Sequence, residues 1–328
     1  MTATAALPVE GELPGLGGAT AWLNSEPLTP AGLRGTVVAV QFCTFSCINW
    51  LRTVPYVRAW TEKYRDAGLV VIGVHSPEFP FEHDLEKIRS ALEEMRVDYP
   101  VAVDNRFAVW RAFGNAYWPA LYFVDIDGRI RHHRFGEEDY ERSERVIQQL
   151  LAEAGRDDVD RELVSVEPDG VYLAANWDAL ESPETYVGYA RASGFASPSG
   201  LLPNRRHVYV EPPRLGLNQW AFTGDWTVGE QTATLNEPGG RILHRFRGRD
   251  LNLVLGTRPG GRPVRFVVLI DGEQPNGAQG LDVDTDGAGI VREDRLYQLV
   301  RQDGPISERT FEITFTDAGA QAYVFTFG

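Results

Sequence analysis

Residues 37–42 form an apolar, mostly β-branched run, Val37-Val38-Ala39-Val40-Gln41-Phe42, and both cysteines of the chain, Cys43 and Cys47, follow it at once. No other stretch constrains the fold as tightly. Such a run fills a central strand covered on both faces. Beyond the cysteines, Ile48, Leu51, Val54, Val57 and Trp60 recur at helical spacing. The strand is therefore expected to pass through a short loop into a helix, kinked at Pro55 and stopped at Gly68. A second buried strand is expected over 69–74.

The alternation continues with a helix over 84–95, a strand over 99–103, a short helix over 105–113 that Asp104-Asn105 would cap, and a hairpin of 120–124 and 130–135 across Asp127-Gly128. A helix over 138–154 closes the unit. Strands alternating with helices and ending in an antiparallel hairpin plus helix are similar to the α/β thioredoxin (redoxin) layout. Residues 1–155 are assigned to that fold. Residues 156–205 turn Asp/Arg-rich and then Ser/Pro/Gly-rich, and Tyr172, Trp177, Tyr186 and Tyr189 are expected to pack this connecting segment onto a domain. Residues 206–328 are all-β in pattern. About eight short alternating runs, separated by Gly, Pro, Asn and Asp, predict a β-sandwich of jelly-roll type.

Charge narrows the function classes. The chain has 328 residues, with 32 Lys and Arg against 46 Asp and Glu, for a net charge of -14. Nucleic acid and anionic membrane both call for a basic face, so neither is expected as a partner. The N-terminal stretch has neither the basic region nor the apolar run of a signal peptide, and no stretch approaches the roughly 20 apolar residues that span a bilayer. The expectation is a cytoplasmic protein whose two cysteines, too few for a disulfide framework, act as reactive thiols, a local disulfide or metal ligands.

Their position is that of a redox centre. A thioredoxin-like enzyme sets Cys-x-x-Cys between a central strand and the N-terminus of the next helix, where the helix dipole favours the first thiolate. The second thiol then resolves the mixed disulfide. Here Cys47 takes the first place, and the residue three further on is Trp50. The stretches Phe45–Asn49 and Leu51–Trp60, Ile72–Phe79 and Tyr117–Ala120 resemble the soluble part of DipZ-type proteins. The likeness continues through Pro183–Tyr189, Arg295–Gln302 and Tyr323–Gly328, so it covers nearly the whole chain. In that family a thioredoxin/redoxin domain and a β-sandwich resembling a carbohydrate-binding module follow a membrane domain. The resemblance implies a disulfide reductase, but the loop departs from the family pattern, Phe-Trp-Thr-Tyr-Ser-Cys-Ile-Asn-Cys. Cys43 stands where the tryptophan belongs and Trp50 where the resolving cysteine belongs.

Three readings of the pair stay open. In the first, Cys43 replaces the resolver. Four residues can stretch ~13 Å, whereas disulfide Cα atoms sit about 4.4–6.8 Å apart, so residues 44–46 would have to fold back. In the second, Cys43 and Cys47 bind a soft ion such as Cu(I), with His75, much as in Sco-type copper chaperones. In the third, Cys43 is a small buried residue, and the domain is a monothiol enzyme or a binding protein on a retired redoxin scaffold. No cofactor beyond Cu(I) is expected. The preferred reading is a thioredoxin-fold oxidoreductase acting through Cys47 on a thiol, disulfide or small-molecule substrate.

Other residues fill out the site. By the resemblance, Trp118-Pro119 is the cis-proline shelf that faces the nucleophile. Trp50, Phe45, Tyr117 and Trp118 are candidates for an apolar rim, and Glu78 and His75 for acid–base work. His132 and His133 neighbour one another on a strand and point to opposite faces, so they cannot share an ion. Asp282, Asp284 and Asp286 satisfy the start of an EF-hand pattern. Strand flanks make a calcium-binding β-loop or a plain acidic turn the alternatives. Trp220 and Trp226 serve either a sugar-stacking platform or the sandwich core.

Overall fold

In the computed structural model, which describes residues 6–156 and 158–328, the run at 37–42 lies in the middle of a seven-stranded mixed sheet. Its strands are β1 (Gly11–Glu12), β2 (Ala21–Leu23), β3 (Val37–Cys43), β4 (Leu69–His75), β5 (Val101–Val103), β6 (Ala120–Val124) and β7 (Arg129–Phe135). Their spatial order is β1-β7-β6-β3-β4-β5-β2. The central strand β3 pairs parallel with β4 and antiparallel with β6, and all seven of its residues are buried. The β6–β7 hairpin turns at Asp125, whose carboxylate accepts the amides of Asp127 and Arg129.

Four helices cover the sheet: α1 (Ile48–Tyr64), α2 (Leu85–Glu94), α3 (Ala108–Ala112) and α4 (Tyr140–Glu153). The Asp104 carboxylate accepts the backbone N–H groups of Ala108, Val109 and Trp110, which start α3. The pleat of β3 separates two environments. Val38, Val40 and Phe42 join one apolar cluster with Ile72, Val74 and Tyr122. Gln41 and Cys43 face the other side, where Gln41 meets Trp50 and Thr53 of α1.

The chain divides into two units, Met1–Tyr172 and Leu173–Gly328. The stretch read as a connecting segment is shared between them. Part of 158–172 lies along α1 and α4: Lys63 of α1 donates to the Glu162 carbonyl, and Val164 N–H donates to the buried Glu144 carboxylate of α4. Helix α1 is therefore covered on more than its sheet-facing side, with Trp50, Thr53, Val57, Trp60 and Tyr64 all buried.

The second unit is antiparallel throughout its named strands. They are β8 (Thr185–Tyr186), β9 (Arg206–Tyr209), β10 (Trp220–Val228), β11 (Ala233–Leu235), β12 (Arg241–Arg247), β13 (Asp250–Thr257), β14 (Val264–Ile270), β15 (Ala288–Val291), β16 (Arg295–Arg301), β17 (Glu308–Phe315) and β18 (Ala320–Phe327). One path runs β15-β14-β17-β12-β10-β11-β18-β13-β16. Strand β10 belongs to both halves: residues 220–223 pair with β12, and residues 226–228 pair with β11. Gly224 sits between them at φ +86°, where a Cβ would lie 2.8 Å from the Gly240 Cα. Only glycine fits this bend. The sheet curls there, and both halves bury their inner residues in one core, including Phe222, Phe246, Leu253, Phe266, Phe311 and Phe325.

Candidate active site

Cys47 is the residue from which α1 starts. Its backbone N–H closes a turn on the Thr44 carbonyl at 3.2 Å, and its own carbonyl accepts the first helical bond, from Leu51 N–H at 2.9 Å. The sulfur therefore sits where unpaired N–H groups and the positive end of the helix dipole favour an anion. No acidic residue occupies the first helical turn. The thiol is half-buried and donates to the Trp118 carbonyl oxygen, 3.9 Å away.

The Trp118–Pro119 peptide is cis. Its surroundings fix it from both sides. The Trp118 indole N–H donates to the Ser76 carbonyl at 3.0 Å, and its ring packs 4.3 Å from that of Trp110. The Pro119 carbonyl accepts Gly136 N–H at 2.9 Å. Beside this shelf, Tyr117 is 52% exposed and stacks on Phe135 at 4.8 Å. Pro119 itself is buried, and Glu78 is half-buried with its N–H turned to the Glu82 carboxylate.

Trp50 does not line the shelf. It is fully buried, and its indole N–H donates to the Gln41 side-chain oxygen at 3.1 Å. Tyr99 donates to the same oxygen at 3.2 Å, while Gln41 donates to Thr53 at 2.7 Å. At position 50 the indole is thus tied into a closed polar network. Phe45 is also buried, stacked on the His75 ring at 5.7 Å. Neither belongs to an open apolar rim.

Cys43 and Cys47 are both thiols, with no disulfide between them. Cys43 is buried at the end of β3, and burial, reinforced by the Glu82 charge, pushes its pKa far up. Its register partner in the parallel pair is His75, so the two share one face of the sheet. His75 is fully buried, and burial pushes it down to about 3.

The three expected metal ligands stand in different surroundings. Cys43 and His75 lie inside the sheet layer, whereas the Cys47 thiol is turned to Trp118. Among the described residues no three His, Cys, Asp or Glu groups come together to hold an ion. Two aspartates of the expected calcium loop have protein partners. The Asp282 carboxylate is taken by Arg295 at 2.6 Å and Gln298 N–H at 2.8 Å, and Asp284 accepts the amides of Asp286 and Ala288 within its own turn. Trp220 and Trp226 are fully buried core residues, so they offer no face to a sugar. His133 pairs with Glu10 at 2.7 Å, while His132 stacks on Phe123.

One residue of the site was not singled out from the sequence. Glu82 is fully buried beneath the 44–47 loop. Its signal was a lone acid in the aromatic stretch Phe79-Pro80-Phe81-Glu82-His83, where an acid facing solvent would be the ordinary expectation.

With this geometry in place, comparison with known proteins is informative. The thiol-disulfide oxidoreductase YkuV of Bacillus subtilis is 32% identical over 141 residues, 43% of this chain and 95% of YkuV. Protein DipZ of Mycobacterium tuberculosis is 35% identical over 322 residues, 97% of this chain. A family model described as "Thioredoxin like C-terminal domain" matches residues 182–328. The chain belongs to the DipZ-type thioredoxin-like family. It spans 43% of the length of the mycobacterial DipZ proteins. The solution structure of a thioredoxin-like protein in its oxidized form aligns with 44% of this chain and 96% of its own, at 33% identity and a TM-score of 0.41. Among the described residues no helix is long and apolar enough to cross a membrane.

Proposed function

We propose that this chain is a monothiol thiol–disulfide exchange protein with Cys47 as its reacting sulfur. The observation that carries the reading is the Cys47 thiol, set at the α1 N-terminus and facing the Trp118 carbonyl at 3.9 Å. Trp50 and Cys43 support it from the other side, because both are buried away from that shelf. In the first step the Cys47 thiolate attacks one sulfur of a substrate disulfide. The S–S bond breaks, the second sulfur leaves as a thiolate, and a mixed disulfide joins Cys47 to the substrate. A donor thiolate then attacks the Cys47 sulfur of the mixed disulfide and releases the second substrate thiolate, and a second donor thiolate attacks the resulting Cys47–donor disulfide, so Cys47 returns to its thiolate and the two donors leave as one disulfide. The substrate disulfide is reduced overall, and the donor thiols are oxidised. Substrates of this class are thiols and disulfides, and the chemistry calls for no metal.

The test is turnover of a cystine-containing peptide with a small thiol as donor. Cys47→Ser should abolish turnover, and Cys43→Ser should retain it. Intact mass after mild oxidation gives the second arm. A loss of two hydrogens together with loss of turnover in Cys43→Ser would identify Cys43 as an internal resolver instead. Full activity of Cys47→Ser would end the reading altogether.

A further inference from the structure

We infer that Glu82 is a positioning residue for Cys47: as an anion, it fastens the loop that carries the nucleophile to the loop that follows β4. The geometry is a four-donor clamp. One carboxylate oxygen accepts the Ser46 hydroxyl at 2.6 Å and the Ser46 N–H at 3.3 Å. The other accepts the N–H groups of Glu78 at 2.6 Å and Phe79 at 2.9 Å. The second pair is a local cap, because Glu82 occupies the third position of the short 3-10 turn Pro80–His83 and reaches back to its start. The first pair has no such local purpose. It crosses 36 residues of chain to hold the residue immediately before Cys47.

Energetics make the arrangement informative. A carboxylate out of water costs several kcal/mol unless a cation or a full set of donors compensates it. Among the described residues no Lys, Arg or His pairs with Glu82, so hydrogen-bond donors, with the Thr44 hydroxyl beside them, do this without a cation. Burial still holds the carboxyl above its ordinary value, with Ser46 and Phe79 acting the other way. The ionisable groups facing it are Cys43 on β3 and Glu78 in its own loop. A glutamine would satisfy a cap at less cost, but it cannot accept at both ends. The acid is the residue type that ties both loops at once, and its charge lies under the nucleophile loop.

This inference rests on Cys47 being the reacting sulfur, so its test reads Cys47 by iodoacetamide alkylation, which proceeds whether or not the protein exchanges disulfides. Glu82→Gln removes one like charge from beside a developing thiolate. Its alkylation profile should move to lower pH, with a roughly tenfold faster rate at pH 7. Amide hydrogen exchange over 44–47 should speed up in the same variant. Ser46→Ala keeps the charge and removes the 2.6 Å hydroxyl arm of the clamp, leaving only the longer 3.3 Å N–H contact, so it should loosen 44–47 while leaving the pH profile in place. A folded Glu82→Gln protein with an unmoved profile overturns the inference. If Glu82→Gln does not fold, Ser46→Ala decides alone, and unchanged protection over 44–47 overturns it. A Cys47 that alkylates but never exchanges disulfides would refute the proposed function, and the profile shift would still decide the role of Glu82.

Discussion

Trp50 is the residue that separates this chain from a two-thiol redoxin, and its surroundings say how firmly. The indole is fully buried and supplies one of two donors to the Gln41 oxygen. Replacing it by the cysteine of the family pattern removes most of a large side chain and leaves Gln41 a donor short. Trp50→Cys should therefore cost roughly 3–5 kcal/mol, the range for truncating a buried large aromatic. Urea unfolding of the two proteins measures this. A loss under about 1 kcal/mol would mean that the pocket collapses around the smaller residue, as the best-relaxing sites do. On the expected outcome, a single reversion does not restore a working dithiol centre, because the position has been built into the core.

At the scale of elements, the site is the meeting of α1 with the β6–β7 hairpin, and a buried ion pair spans the two. Arg52, on α1 five residues past Cys47, contacts Glu137, just past β7, at 2.9 Å with both side chains almost fully buried. The adjoining Gly136 N–H holds the Pro119 carbonyl. Burial raises the Glu137 carboxyl above its ordinary value, with the Arg52 charge acting against that. Arg52→Met leaves a buried acid without its cation and should destabilise the protein by about 3–5 kcal/mol, whereas the double change Arg52→Met with Glu137→Leu should be close to neutral. Equal losses in the single and double variants, read from denaturant midpoints, would show that the pair does not act as a unit.

The same elements show what a sequence can and cannot disclose. The 37–42 run, the turn at Asp127-Gly128 and the long alternating strands of the second unit were legible because burial pattern and local geometry agree there. The spacing of Ile48, Leu51, Val54, Val57 and Trp60 disclosed α1 but not the burial of Trp50. The 158–172 stretch covers a second side of that helix, and periodicity reports only the stripe facing the sheet. Strands β8, β9 and β15 are two to four residues long, too short for alternation to register. The aspartates at 282–286 matched a motif in order alone. The partners of Asp282, Arg295 and Gln298, lie on β16 and only the fold brings them in.

At the scale of the whole molecule, among the described residues each unit carries one histidine that is fully buried with neither ring nitrogen in hydrogen-bond geometry with a protein group: His75 in the first and His244 in the second. His75 lies against Phe45, and His244 lies between Phe325 and Phe327 at 5.0 and 5.2 Å. Burial pushes both down to about 3. In the unfolded chain an imidazole titrates near pH 6.5. The folded value is the lower one, so on acidification the unfolded state takes up the proton first. Each histidine's stabilising contribution is thus whole above about pH 6.5 and is lost as pH falls towards 3, at up to about 1.4 kcal/mol per pH unit. Glu82 works in the opposite sense in the first unit, since its raised carboxyl protonates first in the folded state and so gains stability as pH falls. In the second unit Asp225 and Asp317 are lowered, against burial, by Asn236 and Arg206 and by Arg265 respectively, and they lose stability only in stronger acid. Between pH 6.5 and 4 each unit should therefore weaken as its buried histidine resists the proton. Hydrogen exchange followed unit by unit reads this directly. His244→Phe should flatten the acid slope of the second unit and leave that of the first untouched, and an unchanged slope in that variant would remove His244 from the account.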